Sequence, residues 1–141
     1  MTMAWRVKKM TTRTTTSSIH DYFHAVSTLD RAAYLACFSQ EATVRDPYGG
    51  RPFQGHEGLN KLFNGLERTW ESLTMAPGEL FAADDRVATQ WRASGTAKSG
   101  KAAEFAGINV FTLDDAGLIA QLDAYWDIQA MLAQIGWGIG D

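Results

Sequence analysis

Residues 42–50 read Ala42-Thr43-Val44-Arg45-Asp46-Pro47-Tyr48-Gly49-Gly50. This stretch places a carboxylate where a strand has to end. Side chains alternate between the two faces of an extended chain, so Asp46 shares a face with Ala42 and Val44. Pro47 offers no N–H to a sheet and keeps the residue before it extended, and the two glycines let the chain turn. The sequence therefore predicts that Asp46 is held at a strand end and points into an apolar interior.

A carboxylate in an apolar interior raises the free energy of the fold unless it is paired or used. Burial raises its pKa toward values suited to moving protons, which makes Asp46 a candidate general base. The alternative interpretation is a solvated turn or helix-cap aspartate at the end of the strand. Taken without other residues, Asp46 fits this second interpretation better, so the choice depends on what surrounds it.

Length, charge and cysteine content exclude several classes of protein. The 141 residues are enough for one domain with a sizeable core, and 45% hydrophobic residues describe a folded chain. The net charge of -3 leaves no basic stripe, so no nucleic-acid partner is expected. No apolar stretch approaches the roughly 20 residues of a membrane span, so no membrane partner is expected. Cys37, the only cysteine, excludes an internal disulfide, and we expect a buried core residue in a cytoplasmic protein.

Residues 1–16 are predicted to form a disordered or flexible N-terminal tail. The segment is basic and rich in threonine, and it lacks the apolar centre of a secretory signal. Translation could begin at Met1 or at Met10. Residues 17–141 are predicted to form a single domain, because the chain length suits one domain and the sequence contains no internal repeat.

Helical spacing of apolar residues predicts three helices in the first half of the chain. The first begins at Ser17 or Ser18, which are good N-cap residues, and its apolar stripe directs Tyr22 inward. A second, short helix over 30–38 begins with an aspartate cap. A third helix over 55–73 carries an apolar stripe on one side.

After the third helix the apolar period changes to two residues, which predicts β-strands. The predicted strands cover 79–84, 86–97, 103–113 and 118–127. Short turn sequences join them into an antiparallel meander. Helices followed by such a meander define an α+β domain.

The predicted strand over 103–113 is apolar on both faces. One face is expected to cover a pocket, and the other to pack against a second copy of the chain, in a homodimer that uses Ile108, Val110 and Tyr125. Asn109 alternates with aromatic residues on the pocket face, where a buried amide needs hydrogen-bond partners. A structural asparagine bonded to the backbone and a ligand-facing asparagine remain equally good interpretations.

In the last predicted strand, alternate residues separate an apolar face from a polar one. The apolar face is predicted to point inward and consists of Leu118, Ala120, Leu122, Ala124 and Trp126. The other face is predicted to point outward and consists of Ile119, Gln121, Asp123, Tyr125 and Asp127.

Several of these residues together resemble the ketosteroid isomerases. The resemblance rests on Tyr22, segment 42–50, Gly55, the strand holding Asn109, and segment 113–119 leading to Ala124-Tyr125-Trp126. It covers the chain from about Tyr22 to Trp126. These isomerases belong to the NTF2-like superfamily, with the SnoaL-like polyketide cyclases, scytalone dehydratase and limonene epoxide hydrolase. The resemblance implies an NTF2-like cone, in which three N-terminal helices pack on a curved antiparallel or mixed β-sheet around a hydrophobic pocket.

The resemblance also implies roles for individual residues. It makes Asp46 the general base that moves a proton between two carbons of an unsaturated ketone, and Tyr22 a donor to the carbonyl oxygen. In the ketosteroid isomerases themselves the second donor is a protonated aspartic acid, and its position falls on Asn109, an amide that donates at any pH. The implied substrate-binding residues are Trp126, Phe63, Phe111, Trp91 and Phe38. Phe38 and Phe63 also stand where such isomerases often have tyrosines that support the oxyanion tyrosine.

Three functions fit these residues. The preferred one is a cofactor-independent isomerase of a small hydrophobic, steroid-like ketone. The second is a SnoaL-like cyclase or dehydratase acting on a polyketide-like molecule, but its catalytic aspartate would fall at Ala124, and Asp123 faces the other way. The third is a non-catalytic domain that binds a hydrophobic ligand. It is indicated if side chains fill the pocket and Asp46 pairs with one of three arginines: Arg45, Arg51 or Arg92.

No metal site and no cofactor are expected. His20 and His24 have the i, i+4 spacing of one helix face, but they lie near a helix start and lack a His-Glu-x-x-His pattern. Both are predicted to be exposed helix residues. His56, beside Gly55, is predicted to lie at a helix start, and the alternative is a position at the pocket rim.

Overall fold

The structure, a computed structural model, describes the backbone of residues 12–136 and the side chains of residues 17–136. Its first helix, α1, is Thr12–Ser27. The predicted start at Ser17 or Ser18 is therefore wrong. Threonine is a modest helix former but not a helix breaker, and no glycine or proline interrupts the segment. Residues 1–11 of the predicted tail lie outside the described residues.

The second helix, α2, is Arg31–Ala36. The Asp30 side chain caps it by accepting a hydrogen bond from the Ala33 N–H at 3.1 Å, which confirms the predicted cap. The helix ends before the predicted Phe38, because that residue already belongs to the first strand.

The third helix, α3, is Gly55–Thr69 and ends before the predicted Leu73. Trp70 adopts extended backbone angles of φ -108° and ψ 132°, so it opens a strand where the sequence pattern predicted a helical stripe. A fourth helix, α4, is Ile128–Gln134 and was not predicted. None of the helices within residues 12–136 has the length and apolar character needed to cross a membrane.

A curved, unclosed sheet packs against these helices, and its strands lie in the order β2-β1-β6-β5-β4-β3. The strands are β1 (Phe38–Arg45), β2 (Phe53–Gln54), β3 (Trp70–Ala83), β4 (Arg86–Ala97), β5 (Ala102–Leu113) and β6 (Ile119–Tyr125). Neighbours are antiparallel except β1 and β6, which are parallel. The predicted strand at 79–84 is only the end of β3. The α+β class and the NTF2-like cone are confirmed.

A β-bulge near the start of β6 changes which residues face inward. Leu113 pairs with Ile119, whereas the preceding Thr112 pairs with Gln121, so one residue of β6 is left over. Ile119, predicted to point outward, is therefore buried. Beyond the bulge the predicted alternation holds, and Leu122 is buried as well.

The core lies between the helices and the sheet, and aromatic rings dominate it. Tyr22 contacts Phe111 at a ring-centroid distance of 5.2 Å, and Tyr34 contacts Phe63 at 5.1 Å. Cys37 is buried in the same core, as predicted.

Gly107 on β5 lets two tryptophans approach the sheet. A Cβ at this position would lie 2.5 Å from the Tyr125 carbonyl oxygen, 2.6 Å from Trp91 Cζ2 and 2.8 Å from Trp126 Cβ. The first of these atoms is backbone and cannot move aside without distorting β6. Gly65 on α3 is the opposite case, because a Cβ there would meet nothing within 4 Å.

We expect Gly107→Ala to lower the free energy of unfolding by roughly 1–3 kcal/mol through overpacking. Gly65→Ala, the matched control, should raise it by roughly 0.5–1 kcal/mol, because alanine is the better residue in a helix interior. Denaturant unfolding followed by circular dichroism measures both. Equal stability of the two variants would contradict the described packing around Gly107.

Candidate functional site

A cavity of about 480 Å³ lies between the helices and the sheet. This volume is in the range of small-molecule sites. Its apolar lining includes Phe53, Leu66, Leu73, Met75, Ile128 and Met131. Lys61 and Arg68 are exposed lining residues and mark its opening. The further polar lining residues are Tyr22, Tyr34, Asp46 and Thr69.

Asp46 follows the last residue of β1 and is partly buried. The Trp126 indole N–H donates a hydrogen bond to Asp46 Oδ1 at 2.6 Å. The turn after Asp46 is tied down as well, because the Tyr48 N–H donates to the Ala124 carbonyl at 2.6 Å. Burial raises the pKa of Asp46 above its ordinary value of 3.8, and the bond from Trp126 opposes that rise.

No ion pair among the described side chains involves Asp46. Arg45 instead pairs with Asp123, at 3.1 Å between Nη1 and Oδ1, on the other face of β1 and β6. Arg51 and Arg92 form no ion pair with Asp46 within the described part of the chain either. The arginine pairing that would favour a purely structural Asp46 is therefore not present there.

Tyr22 on α1 is 2% exposed, and its hydroxyl is part of a chain of hydrogen bonds. The Trp91 indole N–H donates to Asn109 Oδ1 at 2.8 Å, and Asn109 Nδ2 donates to the Tyr22 oxygen at 3.4 Å. An indole N–H can only donate, so it fixes which end of the amide faces Tyr22. Because the Tyr22 oxygen accepts from Asn109, its own proton remains available for another acceptor.

Tyr22 is a neutral donor at physiological pH. Burial is the main cause that raises the pKa of its hydroxyl, and the charge of Asp46 adds to the effect. The hydrogen bond from Asn109 acts in the other direction.

Asn109 itself is fully buried and does not line the cavity. Both ends of its amide bond to side chains, so the predicted alternative of a structural asparagine bonded to the backbone does not describe its side chain. Asn109 therefore lies behind Tyr22 and bonds to its oxygen.

Tyr34 on α2 was not singled out by the sequence pattern. It is 1% exposed and lines the cavity, and its hydroxyl has no hydrogen-bond partner among the described residues. Burial raises the pKa of Tyr34 well above its ordinary value of 10.0, with smaller contributions from Tyr22 and Asp46. The signal in the sequence was the spacing to Phe38, four residues later. Position 38 is the one at which the resembling isomerases often have a tyrosine.

Of the predicted substrate-binding residues, Trp91 and Trp126 line the cavity. Phe38, Phe63 and Phe111 do not; they are buried in the core behind the two tyrosines. They are buried, as hydrophobic residues are expected to be. The placement of the helices and strands puts them in the layer behind the lining residues.

Besides Tyr34, three aromatic lining residues were not predicted, and they are Phe53, Trp70 and Phe105. Phe105 stacks against Trp70 at a centroid distance of 5.7 Å and against Trp126 at 5.3 Å. Together with Trp91, which meets Phe105 edge-on at 5.9 Å, these rings form an aromatic wall of the cavity. Such a wall suits a flat hydrophobic molecule.

The described residues contain no group of three or more side chains that could hold a metal ion. His20 and His24 are exposed on α1. Nε2 of His56, at the start of α3, lies 3.1 Å from the Phe38 carbonyl oxygen.

The arrangement suits one kind of chemistry. A carboxylate with a raised pKa can take a proton from carbon, and a neutral hydroxyl nearby can stabilise the negative charge that develops on an adjacent oxygen. An apolar surrounding strengthens both interactions.

Several solved structures share this fold. The epoxide hydrolase/cyclase-like enzyme SalBIII, described as having a role in pyran ring formation in the polyether salinomycin, is 25% identical. The match covers 84% of this chain and 94% of SalBIII, with a TM-score of 0.73. The Δ5-3-ketosteroid isomerase of Mycobacterium sp. is 23% identical, over 84% of this chain and 96% of its own, with a TM-score of 0.73.

A Mycobacterium tuberculosis protein, solved in complex with estradiol-17β-hemisuccinate, is 20% identical. It matches 83% of this chain and 96% of its own, with a TM-score of 0.73. No curated protein is similar enough in sequence to match the chain. A family model for the SnoaL-like domain matches residues 19–122, which include Tyr22, Asp46 and Asn109. The chain therefore belongs to the SnoaL-like domain family, within the NTF2-like superfamily.

Proposed function

We propose that this protein is a cofactor-independent proton-transfer enzyme that acts on a small hydrophobic ketone. The observation behind the proposal is that Asp46 and Tyr22 line one apolar cavity, with Asp46 held by a tryptophan N–H and free of any ion pair among the described side chains. A purely structural aspartate would gain more from a cation than from an opening into a cavity.

In the proposed reaction, the Asp46 carboxylate takes a proton from the carbon beside the carbonyl group. The electrons of that C–H bond move toward the carbonyl oxygen, and Tyr22 donates a hydrogen bond to the resulting enolate. In a β,γ-unsaturated ketone the protonated Asp46 then returns the same proton to the γ-carbon, so the double bond moves into conjugation. No atom or electron is left over, and no cofactor is required.

Trp126 and Asn109 are positioning residues in this proposal. The Trp126 N–H occupies Oδ1 of Asp46, which leaves the other carboxylate oxygen to reach the substrate. Asn109 holds the Tyr22 oxygen so that its proton points elsewhere. The second donor role implied for Asn109 by the resemblance becomes an indirect one.

The expected ligand is flat and hydrophobic, of steroid-like size. The aromatic wall and the cavity of about 480 Å³ support this class. The steroid isomerase and the protein bound to a steroid ester share the fold. They support the same class at the level of the fold.

A polyketide cyclase or dehydratase is the second candidate, and the similarity to SalBIII favours it. Its catalytic aspartate would stand at Ala124, which is a buried alanine. The adjacent Asp123 is held by Arg45 away from the cavity. We therefore rank the isomerase first, and a non-catalytic binding domain is tested by the same experiment.

We expect Tyr22→Phe to lower kcat by roughly 10² to 10³, because it removes one donor to the developing oxyanion. Asp46→Asn should abolish turnover, since it removes the only proposed base. The assay is the absorbance of the conjugated product, followed over a panel of β,γ-unsaturated ketones. The exposed residues Asp115 and Tyr125 provide matched controls, and Asp115→Asn and Tyr125→Phe should keep wild-type rates.

Binding of the panel without turnover by the wild type would contradict the enzyme and favour a binding domain. Turnover that survives in Asp46→Asn would mean that another group is the base.

The raised pKa of Asp46 predicts how stability depends on pH. Below pH 3.8 the Asp46 carboxyl is protonated in both the folded and the unfolded state. The free energy of unfolding should therefore change with pH to the same extent in wild type and Asp46→Asn over this range. As pH rises from 3.8 through the folded-state pKa, ionisation favours the unfolded state and wild type loses stability. The stability advantage of Asp46→Asn should therefore grow over this window and then level off. Urea unfolding at a series of pH values measures it, and an advantage that shrinks with rising pH would contradict a raised pKa.

We also propose a homodimer through the outer face of β5 and β6. Ile108 is 42% exposed and Tyr125 45% exposed on this face, and Tyr48, 51% exposed, contacts Tyr125 at a ring distance of 5.1 Å. An exposed apolar patch of this kind is typical of an interface.

Light scattering should therefore give a mass of twice 15.5 kDa at micromolar concentration. Ile108→Glu should shift the protein to monomer by placing a charge in the patch. Ala32→Glu is the control, because Ala32 is exposed on α2, on the helix side of the sheet and outside the patch. A wild-type monomer would remove the dimer proposal and leave the cavity unaffected.

A further inference from the structure

The hydroxyl of Tyr34 is the one buried side-chain polar group of the described residues without a hydrogen-bond partner among them. Buried polar groups are almost always hydrogen-bonded, because leaving one unpaired is unfavourable. Tyr34 lines the cavity that also contains Tyr22 and Asp46. A hydroxyl in this place is best explained by an acceptor that arrives with the ligand.

We propose that Tyr34 donates a second hydrogen bond to the ligand oxygen that Tyr22 contacts. The ligand class is a flat molecule that carries a carbonyl, enolate or phenolate oxygen at this end of the cavity. The proposal rests on the proposed function for the choice of oxygen, but its test does not require turnover.

The position of Tyr34 is fixed by packing on three sides. Its ring lies 5.0 Å from that of Phe38, 5.1 Å from that of Phe63 and 5.8 Å from that of Tyr22. Phenylalanine at 38 and 63 offers no hydroxyl, so these neighbours cannot satisfy Tyr34. The ring is held in place while the hydroxyl is left without a protein partner among the described residues.

Arg31 links helix α2, which carries Tyr34, to helix α3. Arg31 donates to the Asn60 side chain at 2.9 Å and to the Asn64 side chain at 2.7 Å, and it forms an ion pair with Glu67 at 2.6 Å. A donor that stabilises a developing charge must be held in place before the reaction. These contacts provide such preorganisation for Tyr34.

Tyr34 also resolves a conflict between the resemblance and the structure. The resemblance places a second donor at Asn109, but the Asn109 amide bonds to Trp91 and Tyr22 and does not line the cavity. Tyr34 does line it and remains protonated at physiological pH. The second donor has thus moved from β5 to α2.

The test compares two probes of nearly equal size, 2-naphthol and 2-methylnaphthalene. Only the first carries an oxygen. Tyr34→Phe should weaken 2-naphthol binding roughly tenfold, the effect expected for one lost hydrogen bond, and leave 2-methylnaphthalene binding within about twofold. Tyr125→Phe should leave both affinities unchanged. Quenching of tryptophan fluorescence measures binding, because Trp70, Trp91 and Trp126 line the cavity that either probe would occupy.

A second measurement separates donation from packing. The absorbance of bound 2-naphthol reports its ionisation, and loss of a donor to its oxygen should raise the pH at which the bound molecule ionises. Tyr34→Phe should also be at least as heat-resistant as the wild type, because it removes an unpaired buried hydroxyl.

Unchanged 2-naphthol affinity and ionisation in Tyr34→Phe would overturn the proposal, as would an equal loss for both probes. Failure of the wild type to bind either probe would overturn it together with the ligand class. Absence of turnover on every ketone, with the expected naphthol results, would instead overturn only the enzymatic function.

Discussion

The site depends on the parallel pairing of β1 with β6, which are the first and last strands along the chain and neighbours in the sheet. Val44 pairs with Leu122 and Arg45 with Asp123, which brings the residues just beyond the two strand ends together. There the Trp126 N–H meets the Asp46 carboxylate at 2.6 Å. Because β1 lies between a short edge strand and β6, a carboxylate from the first third of the chain is held by residues close to its end. Without this pairing Asp46 would be an ordinary turn residue.

The chemistry follows from the small number of polar groups in an apolar cavity. One carboxylate and two neutral tyrosine hydroxyls lie in a cavity whose other lining residues are mostly aromatic and aliphatic. Burial makes ionisation of all three groups less favourable, so the tyrosines stay protonated and Asp46 becomes a better proton acceptor once ionised. The cost of burying these groups is offset by the core around them.

Local periodicity predicted much of this arrangement. Alternation along 42–46 placed Asp46 inward and Arg45 outward, and helical spacing buried Tyr22. Periodicity failed where tertiary contacts decide: Trp70 fits a helical stripe but opens a strand, and a bulge turns Ile119 inward. The depth of an aromatic residue has no signal in the sequence, which is why Phe63 and Phe111 were placed in the cavity wall and Phe105 was not. The unpaired hydroxyl of Tyr34 follows from its packing against Phe38 and Phe63, and no local sequence pattern predicts that packing. The cap formed by Asp127 was a usable local signal for the last helix.

Hydrogen–deuterium exchange at carbon tests the central claim most directly, because it asks only whether Asp46 removes a proton beside a carbonyl. The saturated hydrophobic ketone 2-decalone, incubated with the protein in deuterated buffer, should lose its α-proton NMR signals faster than in buffer alone. Asp46→Asn should return the exchange rate to that of the buffer while the protein stays folded. The same exchange rate for the wild type and Asp46→Asn would contradict the account.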